Sequence, residues 1–381
     1  MKVTLITREF PPHIYGGAGV HIKYLAHELS KMMDVEVRSF GDQLVIKQNL
    51  LVTGYQGWEK LEGHDEKHAL ALQALATNLA MACDKIDSDL VHTHTWYGHF
   101  GGFLAKKLYD IPFVATCHTI EALRPWKKDR LGNGYRLSTW MERIGLEFAD
   151  RIISVSNAMK EDIIKYFNIS EEKVIVIHNG IDTDKWNYRP IYDGLKNRYN
   201  LRDDYILFVG RPTPQKGMEY LIEAADDIEA QVVIAAVGAD TPRYEREMKK
   251  RIQTKKNLLW INEMLEEEEY IQLYSGAKAF VCPSVYEPFG IVNLEAMACR
   301  TPVIATAVGG IKEIIIPDET GILIEPQNSQ QISDNANKLL KDKRFACRLG
   351  ENGRKRVEEC FSWTTIAKNT KSLYESVISG Y

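Results

Sequence analysis

The sequence predicts an α/β protein made of two successive βα-type domains, and three observations carry that reading. Short apolar segments rich in β-forming residues alternate with longer amphipathic segments along the chain, the pattern of strands joined by crossover helices. A polar, irregular stretch from Trp186 to Asp203, containing Pro190 and Gly194, interrupts this alternation, which restarts at Tyr205. The length of 381 residues suits two domains of ordinary size.

Composition narrows the function classes. Hydrophobic residues make up 45% and charged residues 26% of the chain, values of a soluble globular protein with ample core. The formal net charge of −4 argues against a nucleic-acid partner held by phosphate contacts. No apolar run reaches membrane-spanning length, and no membrane partner is expected. Met1-Lys-Val-Thr-Leu-Ile-Thr reads as a first strand and not as a signal peptide. Six cysteines, at 83, 117, 282, 299, 347 and 360, form no C-x-x-C pair and suit reduced, mostly buried thiols in a cytoplasmic protein.

In the first domain, the strand Lys2–Thr7 leads into Arg8-Glu-Phe-Pro-Pro-His-Ile-Tyr-Gly-Gly-Ala-Gly and a helix from about Val20. Glycines there would let the backbone approach a phosphate or sugar. The run is not a dinucleotide fingerprint, because Ile22 stands where the third small residue belongs. Val35–Phe40 is a second strand, Gly54–Gly57 reads as a turn, and a helix spans His68–Lys85. Asp89-Leu-Val-His-Thr-His-Thr-Trp ends a strand in a loop, making His92, His94 and Trp96 candidate sugar contacts. His92-x-His94 also suggests a metal pair, but no third ligand lies nearby in the sequence. A strand from Pro112 to Cys117 ends at His118, which opens a long loop to about Arg136 holding Lys127, Lys128 and Arg130. Asn157 stands at a capping position for the next helix. The pairs Asp87-x-Asp89 and Asp182-x-Asp184 read as structural, the first at the wrong end of a strand and the second in a turn.

The second domain opens with the strand Tyr205–Gly210, whose following loop carries Arg211 and Lys216. Two cations at the carboxyl end of a strand are well placed for a diphosphate, Arg as a fork and Lys as a point charge. Glu266–Glu269 reads as a helix start. The stretch Cys282–Cys299 is strand end, turn and helix, with Glu287 in the turn and Glu295 inside the helix. A helix start presents unpaired N–H groups and partial positive charge, so this segment can hold a diphosphate and hydrogen-bond hydroxyls on either side of it. A nucleotide sugar is such a ligand. Val308-Gly309-Gly310 opens another short helix, and Phe361-Ser-Trp363 precedes the last one.

Arg211-x4-Lys216-Gly217, Glu287-x7-Glu295 and Pro283-Ser-x-x-Glu-Pro-Phe-Gly-Ile together resemble the family-4 retaining glycosyltransferases. Thr7-Arg-Glu-Phe-Pro-Pro, Tyr15-Gly-Gly-Ala-Gly-Val-His21 and Leu123-Arg-Pro-Trp126 look most like the actinobacterial-type glycogen synthases and α-maltose-1-phosphate synthases. The resemblance implies a GT-B fold: two Rossmann-like βαβ domains facing a cleft, with the C-terminal helix crossing back to the N-terminal domain. It implies an acceptor-side domain of 1–185 plus 362–381 and a nucleotide-sugar-binding domain of 186–361. It further implies a nucleoside-diphosphate glucose donor, ADP-glucose favoured, a glucan or glucose 1-phosphate acceptor, and no cofactor or metal. By motif, Arg211 and Lys216 would stabilise the leaving diphosphate, Glu287 contact the donor glucose and Glu295 the ribose hydroxyls. Backbone N–H groups at Phe289 and Gly290 would hold sugar and phosphate, and Gly16 and Gly17 would approach the phosphates. His118 would contact the sugar beside the reacting carbon, and Asn157 would contact it as well. Where glycogen synthases carry Lys-x-Gly-Gly, this chain has Ile14-Tyr15-Gly16-Gly17. Within the fold, a UDP- or GDP-sugar donor with a small-molecule or lipid acceptor is the alternative. Outside it stand a nicotinamide oxidoreductase and a non-catalytic binding module.

Overall fold

A computed structural model describes residues 1–58 and 66–381, without the side chains of Glu66, Lys67, Trp126, Asp129 and Arg130. The end of the hard-to-read stretch Gln43–Gly63, and the side chains of Trp126 and Arg130, therefore lie outside the described residues. The chain divides into two compact units, Met1–Asn179 with Trp363–Tyr381, and Gly180–Ser362.

The first unit is built on an eight-stranded sheet. Its strands are β1 (Lys2–Thr7), β2 (Asp34–Phe40), β3 (Leu44–Lys47), β4 (Leu50–Tyr55), β5 (Leu90–His94), β6 (Phe113–Cys117), β7 (Arg151–Ser154) and β8 (Val174–Val176). The order is β3-β4-β2-β1-β5-β6-β7-β8, with every pairing parallel except the β3–β4 hairpin. Strands β5 and β6 are buried at every position, as expected where helices cover both faces of a parallel sheet. Order reverses between β1 and β5, a switch point at which the carboxyl ends of neighbouring strands diverge. The last helix, Trp363–Gly380, belongs to this unit and packs beside the helix Gly17–Ser30. Tyr24 and Trp363 stack there with ring centroids 5.6 Å apart.

The second unit carries six parallel strands: β9 (Tyr205–Val209), β10 (Gln231–Ala235), β11 (Leu258–Ile261), β12 (Ala279–Cys282), β13 (Val303–Thr306) and β14 (Ile322–Ile324). Their order, β11-β10-β9-β12-β13-β14, puts the switch point between β9 and β12. Arg354, nearly buried, braces the entry to this unit by donating to the carbonyls of Thr183, Trp186 and Ala298.

Several elements differ from the sequence reading. Gly54 lies inside β4 and not in a turn: a Cβ there would stand 2.6 Å from the Gln43 nitrogen, so glycine serves the close approach of the hairpin backbones. The stretch Trp186–Asp203 contains a helix, Asp193–Tyr199. Asn157 is the first helical residue, and the cap is Ser156, whose Oγ accepts from the Met159 N–H at 3.1 Å. The loop expected after His94 is instead the start of a helix, Thr95–Tyr109, which carries Trp96 into the core. The Glu-rich run does start a helix, with Glu266 and Glu269 closing a capping box. Both Asp-x-Asp pairs hold backbone: Asp89 accepts from the Lys2 N–H at 2.7 Å and Asp182 from the Lys185 N–H at 3.1 Å.

Candidate active site

In the second unit the candidate residues gather at the switch point. Arg211 and Lys216 lie on the loop after β9, and Glu287 on the loop after β12, its neighbour in the sheet. The two loops are tied by backbone, since the Val285 N–H donates to the Gln215 carbonyl at 2.9 Å. Lys216 Nζ donates to Glu287 Oε2 at 2.6 Å, and Ser284 Oγ donates to the same oxygen at 3.1 Å. Glu287 is buried, and this cation and hydroxyl are the partners a buried carboxylate requires. Arg211 is likewise committed to a carboxylate: Nη2 donates to Asp240 Oδ1 at 2.5 Å and Nε to the Gly238 carbonyl at 3.3 Å. Two cations thus meet two carboxylates before any ligand arrives.

Glycines make this packing possible. Gly217 has φ +61°, and a Cβ on it would stand 2.1 Å from the Pro283 carbonyl oxygen. Gly309, at φ +49°, would place a Cβ 2.0 Å from the Glu287 carbonyl oxygen, which also accepts from the Gly310 N–H at 3.1 Å. The β9 and β13 loops can close on the β12 loop only without side chains at these points. Gly290, at φ +105°, is the cap of the helix Ile291–Ala298, with the buried Phe289 before it.

Glu295 sits on that helix, partly buried, and accepts from the hydroxyl of the buried Tyr274 at 3.0 Å. Burial, only partly offset by this hydrogen bond, pushes its carboxyl up to about 7. It therefore changes charge within the physiological range.

In the first unit, Gly16 is the cap of the helix Gly17–Ser30, and an added Cβ on it would meet nothing within 4 Å. The N–H groups of Tyr15 and Gly16 donate to Glu9 Oε2 at 2.8 and 3.0 Å, so the glycine loop already cradles an internal carboxylate. At the carboxyl ends of β5 and β6 lies a nest of histidines. His94 Nδ1 and His118 Nε2 are 3.1 Å apart, and His21 Nδ1 lies 2.7 Å from Asn179 Oδ1. Burial holds His94 and His118 well below the ordinary imidazole value and pushes His21 down to about 4, so all three are neutral. His92 lies deeper, between the Tyr374 hydroxyl at 2.5 Å and Thr116 Oγ1 at 2.6 Å.

The sequence-predicted residues are thus brought together in two groups. Arg211, Lys216, Glu287, Phe289, Gly290 and Glu295 share the β9–β12 loops of one unit; Gly16, Gly17, His118 and Asn157 lie at strand carboxyl ends or helix starts of the other. His92 and Trp96 are corrected as sugar contacts, because both are buried in the core. In the fold His94 stands with His21 and His118, remote in sequence, and not with His92; one ligand atom from each of the three lies within 4.8 Å of the others. Asp240 and Tyr274 escaped sequence reasoning, since each acts from a different strand or helix than the group it holds. Among the described residues, no helix is long and apolar enough to cross a membrane.

Comparison with known proteins agrees with this architecture. The family description "Glycosyltransferase Family 4" matches residues 15–185, and "Glycosyl transferases group 1" matches 195–356. The chain is 38% identical to the alpha-maltose-1-phosphate synthase of Mycolicibacterium smegmatis, over 99% of this chain and 100% of that one. It is 25% identical to the glycogen synthase of Mycobacterium tuberculosis, over 98% of this chain and 94% of that one. Among solved structures, it resembles sucrose-phosphate synthase from Thermosynechococcus elongatus, with a TM-score of 0.82, 25% identity and 100% of both chains covered. The catalytic domain of starch synthase IV from Arabidopsis thaliana, bound to ADP and acarbose, matches with a TM-score of 0.77, 18% identity and 99% of both chains covered. With two parallel-sheet units and full-length relatives on both counts, the chain belongs to the family-4 glycosyltransferases of GT-B fold.

Proposed function

We propose that this protein is a retaining glucosyltransferase that moves glucose from ADP-glucose to glucose 1-phosphate, forming α-maltose 1-phosphate. The observation that carries the reading is the Lys216–Glu287 pair beside Glu295, at the switch point of a unit whose full-length relatives are named for that synthesis. Elongation of an α-1,4-glucan is the second reading, favoured by the glycogen synthase relative. On either reading, 180–362 is the nucleotide-sugar unit, and 1–179 with 363–381 the acceptor-side unit. A cytoplasmic location goes with this reading, supported by six cysteines that are all unpaired thiols.

The residues support retention without a protein nucleophile. Glu287 Oε2 accepts from both Lys216 and Ser284, while its Oε1 takes part in neither bond and can accept from a sugar hydroxyl. Glu295 Oε1 can do the same for the ribose, its Oε2 being taken by Tyr274. Lys216 and Arg211 face the diphosphate as it leaves, together with the helix start after Gly290. The bond from C1 to the phosphate oxygen breaks, and the acceptor hydroxyl bonds to C1 on the same face. Its proton passes to the leaving phosphate oxygen. In the acceptor-side unit, we assign Gly16, Gly17, His118 and Asn157 to sugar and phosphate contacts. Neutral His118 offers a hydrogen bond without a charge.

The test is nucleotide release from ADP-, UDP- and GDP-glucose, each with glucose 1-phosphate, glycogen or no acceptor. ADP release that requires glucose 1-phosphate is expected. Release that requires glycogen would move the assignment to chain elongation, and no release with any donor would overturn the transferase reading.

A further inference from the structure

The nest of imidazoles in the acceptor-side unit is more than the transfer reaction needs. His21 comes from the second turn of the helix Gly17–Ser30, His94 from the end of β5 and His118 from just past the end of β6. Their relative exposures are 2%, 0% and 8%, so three basic side chains share a nearly dry space. The ring centroids lie 4.7 to 5.4 Å apart, and one ligand atom from each falls within 4.8 Å of the others. Among the described residues, no acidic side chain completes the group.

Two details separate this from ordinary core packing. His21 Nε2 is buried and meets no hydrogen-bond partner. Buried polar atoms are rarely left so, and each costs desolvation that nothing returns. The second detail is orientation. With Asn179 Oδ1 2.7 Å from His21 Nδ1, that nitrogen carries the proton and the Nε2 lone pair is left bare. A side-chain oxygen fixing the far nitrogen is the arrangement that orients a metal-bound imidazole.

We propose that His21, His94 and His118 form a three-imidazole site for a divalent transition-metal cation of the zinc class, and that an ion bound there takes His118 out of use. The spacing fits. Zinc–nitrogen bonds of about 2.0–2.1 Å in a tetrahedron put neighbouring nitrogens about 3.3 Å apart. His94 Nδ1 and His118 Nε2 stand at 3.1 Å, a separation that two ligands of one ion can adopt with a small movement. His21 Nε2 supplies the third bond. Three imidazoles leave a fourth position open to water. An all-nitrogen set selects zinc, cobalt, nickel or copper and not magnesium or calcium, which take oxygen ligands. His92, held on both nitrogens by Tyr374 and Thr116, backs the site without joining it.

The binding test does not depend on the transferase reading; the inhibition test rests on it. Full-length protein stripped with a chelator is dialysed against Zn²⁺, and metal per chain is counted beside His21→Gln and Asn179→Ala. One ion per chain is expected, bound at least tenfold more weakly by His21→Gln and more weakly by Asn179→Ala. Unchanged affinity in His21→Gln would place the ion elsewhere and overturn the site. Should that variant not fold, Co²⁺ in the wild-type chain decides. Tetrahedral d–d bands without a thiolate charge-transfer band support the imidazole site, whereas a thiolate band would assign the ion to an exposed cysteine such as Cys83 and overturn it. In the activity arm, Zn²⁺ is expected to inhibit transfer, with at least tenfold more needed for His21→Gln. Stoichiometric binding that leaves transfer untouched would overturn the sequestration of His118.

Discussion

Glu295 should couple donor binding to pH, and the size of the effect follows from its surroundings. A ribose hydroxyl donates a hydrogen bond most strongly to a carboxylate, and burial raises this carboxyl to about 7. If only the ionised form binds well, affinity for ADP-glucose is flat above about pH 8 and falls tenfold per unit well below 7. At pH 6 the loss is about tenfold, or ~1.4 kcal/mol. The imidazoles of the other unit do not confuse the window, since burial keeps His94 and His118 neutral throughout it. Titration calorimetry with ADP-glucose, from pH 6 to 8.5, measures the slope; the sugar diphosphate has no proton to lose there, whereas the terminal phosphate of ADP does. Glu295→Gln should bind more weakly at pH 8 and show no break. Tyr274→Phe removes the hydrogen bond that favours the ionised form, so its break should move above pH 7. The linkage also reaches stability. Native Glu295 holds its proton between the ordinary 4.5 and about 7, where the unfolded chain has lost it. Its stabilising share is therefore complete below pH 4.5 and gone as pH rises through 7, and Glu295→Gln removes that slope. Wild-type affinity that stays flat from pH 6 to 8.5, or a break retained by Glu295→Gln, would refute the reasoning.

Two further substitutions probe the loops. Lys216→Ala strands the buried Glu287 carboxylate and removes a charge facing the diphosphate, so kcat should fall about 10²–10³-fold, read by steady-state ADP release with the far-ultraviolet circular dichroism unchanged. Gly309→Ala forces a left-handed residue and a Cβ against the Glu287 carbonyl; thermal unfolding should show a loss of about 2 kcal/mol or more, with kcat/KM reduced, and an unchanged Tm would mean the β12 loop tolerates the shift.

Much of the fold was legible because a parallel sheet covered on both faces leaves a strong local signal. The runs in β6, β9 and β12 are short, mostly apolar and buried except at Val209, and the amphipathic segments between such strands could only be crossovers. The β3–β4 hairpin was missed for the opposite reason. Leu44 and Ile46 are exposed at a sheet edge, so no inward alternation marks the strand, and Gly54 imitates a turn. In the site, Arg211, Lys216 and Glu287 could be named because each falls in a loop whose chemistry is local, and Glu295 through the motif that joins it to Glu287. Their partners could not. Asp240 lies beyond β10 and Tyr274 in the helix before β12, and nothing in their own neighbourhoods marks them.

That distinction changes how the site works. From the sequence, two cations wait for a diphosphate; in the fold, each is already paired, Arg211 with Asp240 and Lys216 with Glu287. An unpaired pair of cations would bind any phosphate and hold the product as firmly as the donor. Paired cations give up little field to a ground-state ligand, and respond most when charge builds on the leaving oxygen. On the proposed assignment, Lys216 also joins the loop after β9 that would face the phosphates to the carboxylate after β12 that would face the sugar. A donor hydroxyl drawing on Glu287 therefore loosens the hold on Lys216 just where the diphosphate needs it. On that assignment, the coupling of sugar recognition to charge on the leaving group would rest on one 2.6 Å hydrogen bond.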